Sequence, residues 1–451
     1  MNKPMELPEH ILGCIRALNE QGFEAYVVGG CVRDHCLGLI PHDYDMCTAA
    51  LPEQTEQVFA NHRLVLAGKK HGTVGIVTAG DVVEITTFRT EGEYRDNRHP
   101  EWVNFVPHVE QDLARRDFTV NAMAYSPVRG FSDPFGGRED LKNHILRAVG
   151  DPRQRFREDS LRILRGVRFA VRFGLTPDAE TEKAMFSLAP LMDNLARERV
   201  FNELCKLLPL MTAKDLLRFS PIITQVIPEL APTVGFDQKC RYHSHDLYTH
   251  IALTVEHTPP DLTLRWAALL HDVGKPQSIT MDDAGQAHYY GHAARSAEIA
   301  DVILRRLKAP TALRQQAVTL IEKHMTLPQP EKKFLRRWLG KLGWDTMDAL
   351  LQLQQADTIA TGTNHDAEFS LFEQVREILS DIRAENACLS LKDLALNGHD
   401  LMALGYSGKA IGQELNRLLN LVLEEQCENT REALFCALNR NGFPPIQSSK
   451  E

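Results

Sequence analysis

The chain has 451 residues, 43% of them apolar and 25% charged, with a formal net charge of −9. The length predicts about three domains, the composition is typical of a soluble globular protein, and the mild bulk charge by itself predicts no nucleic-acid partner. Nine Cys without a CxxC pair favour a reducing cytoplasm over a disulfide framework or a zinc ribbon. Neither a secretion signal nor a run of about 18 apolar residues occurs, so we expect a cytoplasmic protein without a membrane partner.

Strand patterns fill the first third of the chain. They are short apolar or alternating runs, "AYVVGG", "YDMCTA" and "GTVGIVTAGDVVEITTF", the last with a hairpin signal at residues 79–81. Helical patterns at about 7–21, 31–38 and 52–60 lie between them. Beyond about residue 140, apolar residues recur at helical spacing almost without interruption. The sequence therefore predicts an α+β head with a mixed sheet, followed by an all-α body, neck and tail.

Two carboxylates stand two residues apart in "IPHDYDMCTAA", where Asp43 and Asp45 interrupt an apolar, strand-like run. Side chains alternate along a strand, so both carboxylates are expected on one face. Carboxylates placed in this way can share hard divalent cations such as Mg²⁺, and two-metal sites activate an attacking oxygen and neutralise a leaving phosphate. An exposed strand end or turn is the alternative for an isolated pair of this kind.

A glycine turn precedes the carboxylate pair by thirteen residues, in "YVVGGCVRD". Gly29 and Gly30 allow backbone amides to approach phosphate oxygens, and Arg33 can reach the same anion. An ordinary tight turn after a strand has the same pattern, but the carboxylate pair that follows makes a pocket for a triphosphate and metal the better interpretation. Glu84, an acid in a predicted strand, is a secondary candidate for a third carboxylate, and Gly29 is a secondary candidate for nucleotide binding.

Five motifs in series point to a known family. "VVGGCVRD" with "HDYD", then "ARRDFTVNAMA", "DPFGGREDL" and "REDSLRILRGVRFAVRF", resemble the ordered motifs of class II tRNA nucleotidyltransferases, the bacterial CCA-adding enzymes and their poly(A) polymerase relatives. The resemblance is continuous over about residues 20–205. Residues 147–172 within it hold eight Arg against three acids, a local net charge of +5 (8 − 3) that suits a nucleic acid.

The resemblance implies roles for several of these residues. It implies a head of the polymerase-β type in which Asp43 and Asp45 hold catalytic metals, while Arg116 and Asp117 of "RRD" contact the sugar and phosphates. A 2′-OH and a triphosphate need an acceptor and a cation, so these residue types fit. Residues 90–105 correspond to a flexible loop that is involved, in that family, in the switch from C to A addition.

The segment "EDSLR" predicts how a base is chosen. On a helix, Asp159 and Arg162 lie three apart and on one face, and Arg165 and Arg168 continue the stripe. An aspartate accepts from an exocyclic amine while an arginine donates to a ring nitrogen, a pairing that cytosine and adenine offer and that uracil and guanine do not. A wrong base would leave buried polar groups unpaired. An intrahelical salt bridge is the alternative for an isolated pair.

His and Asp side chains in the helical patterns between residues 243 and 357 resemble the ligand series of HD-domain phosphohydrolases, and "HDVGKP" is the most specific segment. The ligands implied for a divalent transition metal are His250, His271, Asp272, His292, His324 and Asp357. His243 and Asp246 are candidates for support of this set. The domain is either an active phosphohydrolase acting on phosphomonoesters or cyclic phosphates, or an RNA-facing helical domain that keeps the ligands.

These patterns divide the chain into four expected domains. They are a nucleotidyltransferase head at 1–145, a helical neck for base recognition and RNA binding at 146–235, an HD-type metal-binding domain at 236–370, and a helical tail for tRNA binding at 371–451. In the tail, "GYSGK" with Gly405 and Gly408 would face nucleic-acid phosphates, or would simply connect two helices.

The expected activity is the template-independent addition of CCA to the 3′ end of tRNA from CTP and ATP, by two-metal transfer with Mg²⁺ and release of pyrophosphate. The expected partner is the acceptor arm and elbow of tRNA. A poly(A) polymerase or A-adding enzyme of the same family, an HD phosphohydrolase with a vestigial head, and a non-catalytic RNA-binding protein are the alternatives. The sequence indicates no oligomeric state.

Overall fold

The computed structural model describes residues 4–92, 103–239, 244–283, 285–362, 366–385 and 387–439. These residues form two compact units. The first comprises the chain up to Ala231 together with Arg306–Ala309, and the second comprises Pro232–Arg305 and the chain from Pro310 onward. The four domains expected from the sequence divide the chain more finely, and their boundaries stay a prediction.

The first unit contains a mixed sheet. Its strands are β1 (Ala25–Val28), β2 (Met46–Thr48), β3 (Arg63–Val65), β4 (Thr73–Thr78), β5 (Asp81–Thr87), β6 (Arg89–Glu91), β7 (Val103–Phe105), β8 (Ala124–Ser126), β9 (Gly130–Ser132), β10 (Ile145–Leu146) and β11 (Thr176–Pro177). Seven of them form one sheet in the order β3-β4-β5-β2-β1-β8-β9. Only the β2–β5 pair in this sheet is parallel. The strands β6 and β7 form an antiparallel pair, and β10 and β11 a parallel one.

The hairpin predicted between residues 73 and 87 is confirmed. β4 and β5 are joined by Ala79 and Gly80, whose φ angles are 52° and 90°, and the register closes at Thr78↔Asp81. Two consecutive residues with positive φ match the right-handed twist of the flanking strands, which is why two-residue turns of this kind dominate hairpins. Because β5 also pairs with β2, the hairpin is attached to the sheet beside the segment that carries Asp43 and Asp45.

Helices surround the sheet and continue beyond it. Those of the first unit are α1 (Glu9–Glu20), α2 (Gly30–Cys36), α3 (Pro52–Val58), α4 (Val109–Ala114), α5 (Gly137–Lys142), α6 (Pro152–Glu158), α7 (Leu161–Phe173), α8 (Ala179–Ser187), α9 (Arg197–Leu207), α10 (Ala213–Arg218) and α11 (Ser220–Val226). α4 matters most for the site because Val109 and Leu113 pack with Tyr26 and Val28 of β1 in one buried cluster. Each large side chain buried in this way contributes about 1.5–3 kcal/mol. The sheet therefore fixes the position of the helix that leads into "RRD".

Among its described residues, the second unit consists of helices and their connections, with β12 (Thr280–Met281) and β13 (Ala287–His288) as two-residue strands. Its helices are α12 (Leu247–His257), α13 (Leu262–Leu270), α14 (His292–Arg306), α15 (Thr311–Lys323), α16 (Lys332–Leu342), α17 (Trp344–Ala360), α18 (Asp366–Ala384), α19 (Gly398–Ala403), α20 (Lys409–Leu423) and α21 (Arg431–Asn439). A mixed-sheet head followed by a helical body confirms the predicted fold class, with β10–β13 as short exceptions to an all-α body. In the part of the chain described, helices that combine the length and the apolar character needed to cross a membrane do not occur.

Candidate functional site

Asp43 and Asp45 lie in the segment that leads into β2. Both precede the strand, which begins at Met46, so the expectation that they lie inside a strand was wrong. Ladder pairing with β1 starts only at Val27↔Met46, which is why the strand begins there. The carbonyl of Asp45 nevertheless accepts a hydrogen bond of 2.9 Å from the amide of Val28, so the segment is tied to the end of β1.

The negative charges of this segment repel one another. Partial desolvation and the charge of Asp43 raise the pKa of Asp45; Arg116 opposes this rise, and Glu84 adds to it. A divalent cation would remove the repulsion, and carboxylate oxygens are the hard ligands that Mg²⁺ prefers. The donor set therefore fits magnesium.

Glu84 lies on the neighbouring strand. The parallel register of β2 and β5 pairs Met46 with Ile85, which places Glu84 beside Asp45 at the same level of the sheet. Its side chain is exposed. Among the residues that the structure describes, however, Asp43, Asp45 and Glu84 are not a set whose ligand oxygens all lie within 4.8 Å of one another. Glu84 accordingly stays a secondary candidate.

The glycine turn brings an arginine against the end of β1. Gly29 has φ 77° and ψ −120°, a conformation that glycine adopts readily and other residues do not. A Cβ atom at this position would lie 2.8 Å from Nη1 of Arg116, so the missing side chain also makes room for that arginine. Gly30 is the first residue of α2. The turn, Arg116 and Asp45 are therefore neighbours in the fold.

Arg33 is buried, and each of its three guanidinium nitrogens donates to a side chain of the protein. Its Nε and Nη2 atoms donate to Oδ1 of Asp34 at 2.9 and 2.6 Å, and Nη1 donates to Oδ1 of Asn121 at 2.6 Å. The guanidinium carbon also lies 4.3 Å from the ring centroid of Phe173. These contacts fasten α2 to the turn at residues 119–121 and to α7, and a contact of Arg33 with a triphosphate stays a prediction.

The two arginines of "RRD" share one buried carboxylate. Asp112 of α4 accepts from Nε of Arg115 at 3.0 Å and from Nη2 of Arg116 at 3.4 Å. It also accepts from the amide of Arg89 at 3.3 Å, at the start of β6. Burial alone would raise the pKa of Asp112, but Arg115 and Arg116 outweigh burial and lower it. Asp112 therefore stays ionised and fixes Arg116 where it reaches the glycine turn.

Asp117 is buried, and its carboxylate connects the head to α7 through hydrogen bonds. Its Oδ1 accepts from the amide of Phe118 at 2.9 Å and from Nδ2 of Asn121 at 3.1 Å. Its Oδ2 accepts from Nε and Nη2 of Arg165 at 2.9 and 2.7 Å. Burial would raise the pKa of Asp117, whereas Arg165 and Asn121 outweigh it and lower the pKa to about 2. Asn121, which also accepts from Arg33, links the two arginines through this carboxylate.

Asp159 and Arg162 are not part of one continuous helix. α6 ends at Glu158, Asp159 has extended backbone angles (φ −142°, ψ 102°), and α7 begins at Leu161. The expectation of a helix through "EDSLR" was wrong because Oδ1 of Asp159 accepts from the amide of Leu161 at 3.1 Å and so satisfies a free N–H at the start of a new helix. Its Oδ2 accepts from Nη2 of Arg199 at 2.8 Å.

Arg162 connects the "EDSLR" segment to "RRD". Its Nη1 donates to Oε2 of Glu158 at 2.7 Å and to the carbonyl of Arg155 at 3.0 Å, and its Nη2 donates to the carbonyl of Arg115 at 2.9 Å. Further along α7, Arg165 pairs with Asp117, and the buried Arg168 pairs with the buried Glu203 of α9. The predicted arginine stripe is therefore present, but Arg165 and Arg168 turn toward carboxylates of the protein.

Six histidine and aspartate side chains converge in the second unit. The ligand atoms lie within 4.8 Å of one another in three overlapping groups: His250, His271, Asp272; His271, His324, Asp357; and Asp272, His292, His324. These are the six ligands named from the sequence. Nε2 of His250 lies 3.0 Å from Oδ1 of Asp357, and Nε2 of His292 lies 3.3 Å from Oδ1 of Asp272. Residues up to 107 positions apart therefore meet at one buried point (357 − 250).

The orientation of the imidazoles fits a metal centre. Nδ1 of His271, His292 and His324 lies 2.8, 2.7 and 2.6 Å from the carbonyl oxygen three residues earlier in each case. A carbonyl only accepts, so each Nδ1 carries a proton and Nε2 is the ring atom that each histidine directs into the cluster. Nε2 of His292 and His324 and Oδ1 of Asp272 are buried without a hydrogen-bond partner among the described residues, as expected of metal ligands.

The histidines and aspartates of this cluster shift one another's pKa values. Burial alone would lower the pKa of His271, but Asp272 and Asp357 outweigh burial and raise it to about 10. Burial would likewise raise the pKa of each carboxylate, yet the neighbouring cations hold both well below the ordinary value. Both carboxylates therefore stay ionised, as ligands of a divalent transition metal must be. Asp246 begins α12 by accepting from the amide of Tyr248 at 3.1 Å, whereas His243 lies outside the described residues.

Comparison with known proteins identifies the family. The family model of the "Poly A polymerase head domain" matches residues 25–147, that of the "Probable RNA and SrmB- binding site of polymerase A" matches 174–233, and that of domain 2 of tRNA nucleotidyltransferase matches 292–438. The CCA-adding enzyme of Geobacillus stearothermophilus is 31% identical over 447 residues, which cover 95% of this chain and 96% of that enzyme. This chain belongs to the CCA-adding enzyme family.

Solved structures of CCA-adding enzymes agree with this assignment. The crystal structure of the Bacillus stearothermophilus CCA-adding enzyme in complex with CTP matches with a TM-score of 0.69 at 28% identity, covering 97% of this chain and 98% of that one. The Thermotoga maritima CCA-adding enzyme complexed with tRNA matches with a TM-score of 0.58 at 22% identity, covering 96% of each chain, and shows the shared fold. The predictions of the family and of a nucleotidyltransferase are confirmed.

Several functional candidates in this CCA-adding enzyme relative were not found from the sequence. Each of four side chains contacts a predicted site residue: Asp112, Asn121, Arg199 and Glu203. Asp112 and Asn121 had a signal, because each lies within five residues of "RRD" in the sequence. Arg199 had none, since forty residues separate it from Asp159.

Proposed function

We propose that this chain adds C and A, as CCA, to the 3′ end of tRNA from CTP and ATP without a nucleic-acid template, releasing pyrophosphate. One observation carries the proposal beyond membership of the family. A continuous series of contacts joins the glycine turn to Arg116, the RRD segment to Arg162, and the α6–α7 junction to Asp159. The elements expected to hold the triphosphate therefore contact the elements expected to bind the base, as the two ends of one active site would.

The phosphate end of this site rests on the carboxylates and Arg116. Asp43 and Asp45 would hold the magnesium ions, whose chemistry in such sites is to activate an attacking hydroxyl and to neutralise the leaving phosphate. Arg116 lies between the glycine turn and Asp112, with its guanidinium fixed by a buried charge. A fixed guanidinium at this position supplies a preorganised donor for triphosphate oxygens, which costs little reorganisation during transfer.

The base end of the site rests on Asp159 and Arg162, which keep unused hydrogen-bonding capacity. A guanidinium has five N–H donors, and three contacts of Arg162 are made by Nη1 and Nη2. Among the residues that the structure describes, this leaves the Nε–H and one Nη2–H for a ring nitrogen. Asp159 accepts one hydrogen bond at each oxygen, which leaves lone pairs for an exocyclic amine. The pair therefore suits cytosine and adenine and leaves uracil and guanine unsatisfied.

The test is nucleotide addition to defined tRNA ends. Purified protein with Mg²⁺ is given tRNA transcripts that end before the first C, after CC and after CCA, with each nucleoside triphosphate supplied separately. We expect C on the first transcript, A on the second and nothing on the third. Asp43→Ala and Asp45→Ala should each reduce addition by at least about 10³-fold while tRNA binding persists, because both residues act in the chemical step.

Other outcomes of this assay separate the alternatives. Failure of CTP to extend the first transcript contradicts the proposal. Long A tails on arbitrary RNA identify a poly(A) polymerase, and addition of A alone to tRNA ending in CC identifies an A-adding enzyme. Binding of tRNA without any incorporation identifies a non-catalytic RNA-binding protein.

The tRNA partner would contact both units, at its acceptor arm and elbow. In the first unit, the arginine-rich segment exposes Arg153, Arg157 and Arg172, which are available for phosphates. The second unit contains another basic segment, residues 332–341 ("KKFLRRWLGK"). Its positive charge is partly neutralised, because Lys332 and Arg336 form ion pairs with Glu385. We therefore assign the larger share of phosphate binding to the arginine-rich segment. A cytoplasmic location remains the expectation from composition.

The second unit supports a further activity, metal-dependent phosphohydrolysis by an HD-type domain. The convergence of four imidazoles and two carboxylates at one buried point favours it. A divalent transition metal held there would polarise a phosphoryl oxygen. Histidine rings fixed through Nδ1 keep their Nε2 atoms aimed at the site. The substrate class is a phosphomonoester or a cyclic phosphate.

Hydrolysis of p-nitrophenyl phosphate and of 2′,3′-cyclic AMP tests this activity, with Mn²⁺, Co²⁺ or Ni²⁺ added to metal-free protein. Hydrolysis that His271→Ala abolishes and Asp43→Ala leaves unchanged supports it. Bound metal without hydrolysis of either compound contradicts a hydrolase and supports the RNA-facing alternative. Loss of nucleotide addition only in the Asp43 variant excludes a vestigial head.

A further inference from the structure

Asp159 lies at a break between two helices, so helix geometry does not fix its side chain. α6 ends at Glu158 and α7 begins at Leu161, which leaves Asp159 with extended backbone angles. Its carboxylate is nevertheless held at both oxygens, by the amide of Leu161 and by Nη2 of Arg199. The amide contact satisfies the start of α7. The arginine contact comes from α9, forty residues later in the chain.

The position of Arg199 is itself fixed. Arg199 lies in the first turn of α9, and Glu203 follows it four residues later, so both side chains lie on the same face of the helix. Glu203 pairs with Arg168 of α7, and both side chains of this pair are buried. Val200 and Leu204 are buried as well, so α9 is packed firmly. The Arg168–Glu203 pair therefore holds α9 in register with α7 and places Arg199 beside Asp159.

We propose that Arg199 is a positioning residue that fixes the carboxylate of Asp159 and thereby determines the choice of base. The inference rests on the proposed function, in which Asp159 accepts a hydrogen bond from the exocyclic amine of cytosine or adenine. A carboxylate held by a charged donor at Oδ2 and an amide at Oδ1 has one orientation, and it presents only acceptors to the base. The O4 atom of uracil or the O6 atom of guanine would then face a carboxylate oxygen. Neither atom can donate a hydrogen bond, so no bond forms.

Loss of Arg199 would weaken the contact to the exocyclic amine of the base and leave the contact to the ring nitrogen. Arg162 is braced separately, by Glu158 and by the carbonyls of Arg155 and Arg115. The ring-nitrogen contact should therefore persist in an Arg199 variant while the amine contact weakens, because the Asp159 carboxylate becomes free to rotate. Triphosphate binding should change little, since Arg116 is held by Asp112.

The experiment compares Arg199→Met, which keeps the aliphatic length, with Arg199→Lys, which keeps the charge but not the fork. Arg197→Met is the matched control in the same turn, because Arg197 donates to the carbonyl of Asp193 and does not contact Asp159. For each variant, kcat/KM is measured for CTP, UTP and pyrimidin-2-one riboside triphosphate on tRNA that ends before the first C. The pyrimidinone keeps the ring nitrogen and lacks the amine. The thermal unfolding midpoint is measured in parallel.

We expect Arg199→Met to lower the CTP/UTP ratio of kcat/KM by about 10- to 100-fold, the effect of one hydrogen bond to a charged group. The preference for CTP over the pyrimidinone should fall by a similar factor, because the amine no longer has a fixed acceptor. Arg199→Lys should recover part of both ratios, and Arg197→Met should leave them unchanged. A structural defect would lower all three kcat/KM values together and leave the ratios intact.

Unchanged ratios in a folded Arg199→Met protein overturn the inference. If that variant does not fold, Arg199→Gln, which removes the charge and keeps a polar side chain, decides, because wild-type ratios in it overturn the inference. Failure of the wild-type protein to add C contradicts the proposed function instead. In that case the ratio of dissociation constants for CTP and UTP, measured without tRNA, still tests Arg199, and equal ratios in wild type and Arg199→Met overturn the inference.

Discussion

Asp117 is a buried carboxylate whose ionised form depends on Arg165 and Asn121. These two partners lower the pKa to about 2 in the folded protein, against an ordinary value of 3.8. Because the folded pKa is the lower one, the contribution to stability is fully present above about pH 4 and is lost as the pH falls toward 2. Its size is about 2 kcal/mol, from about 1.4 kcal/mol for each pKa unit.

Wild type should have a larger free energy of unfolding than Asp117→Asn. We expect this difference to decrease by about 1 kcal/mol as the pH is lowered from 5 to 3. Urea unfolding of the first unit at several pH values measures it. Arg165→Met removes the main cation, so the gap between this variant and its own Asp117→Asn double variant should vary less with pH. A wild-type gap that is constant from pH 5 to pH 3 would contradict an ionised Asp117.

Gly29 offers a second prediction at the scale of one residue. Gly29→Ala puts a Cβ 2.8 Å from Nη1 of Arg116 in a backbone conformation with φ 77° and ψ −120°. We expect a loss of about 1–3 kcal/mol in stability and at least about tenfold in nucleotide addition, because either the turn or Arg116 must move. Gly13→Ala is the control: it lies in α1 with no atom within 4 Å of its Cβ position, and it should be neutral or stabilising.

At the scale of elements, α4 connects the sheet to the arginines of the site. Asp112 on its buried face holds Arg115 and Arg116, while Glu110 on the same helix is exposed. Asp112→Asn keeps the shape and removes the charge, so Arg116 loses the partner that fixes it. We expect kcat/KM for CTP to fall about 10- to 100-fold, with Glu110→Gln unchanged. Activity equal to wild type in a folded Asp112→Asn protein would show that Arg116 needs no such support.

The elements also show where the sequence was sufficient and where it was not. The β4–β5 hairpin was predictable, because its turn and its alternation are local. The break at Asp159 was missed because "EDSLR" has helical spacing, although its Asp and Ser are residues that favour the start of a helix. The break depends on the cap at Leu161 and on Arg199, a tertiary contact from α9. Local propensity commonly yields to such contacts, which is why the residues were found and their geometry was not.

At the scale of the whole molecule, the prediction of the six-residue candidate metal site depended on resemblance rather than on pattern. Its six ligands come from the helices α12 to α15 and α17 and from the ends of those helices. Single His and Asp residues on helices carry no signal of convergence, since only the packing of helices brings them together. The head carboxylates differ, because two acids separated by one residue in a single segment are close in any fold. The sequence therefore locates Asp43 and Asp45 directly and the second site only through its family.

The two sites lie in different compact units, so removal of metal should affect them separately. If the second unit holds a transition metal as we propose, chelation would leave Asp272 and Asp357 without that cation. At a metal concentration of about 100 Kd, bound metal stabilises the unit that holds it by about 2.7 kcal/mol. We expect a chelator to lower the unfolding temperature of the second unit by several degrees and to leave that of the first unit unchanged.

Differential scanning calorimetry with and without the chelator measures this effect, and metal analysis reports how much ion is bound. His324→Ala should abolish both the bound metal and the response to chelator, because it removes a buried ligand that two of the three ligand groups share. His257→Ala, at the exposed end of α12, is the matched control and should behave as wild type. Asp43→Asn should leave the chelator response intact. An equal shift of both transitions, or a response that survives in His324→Ala, would show that the six residues do not hold the ion.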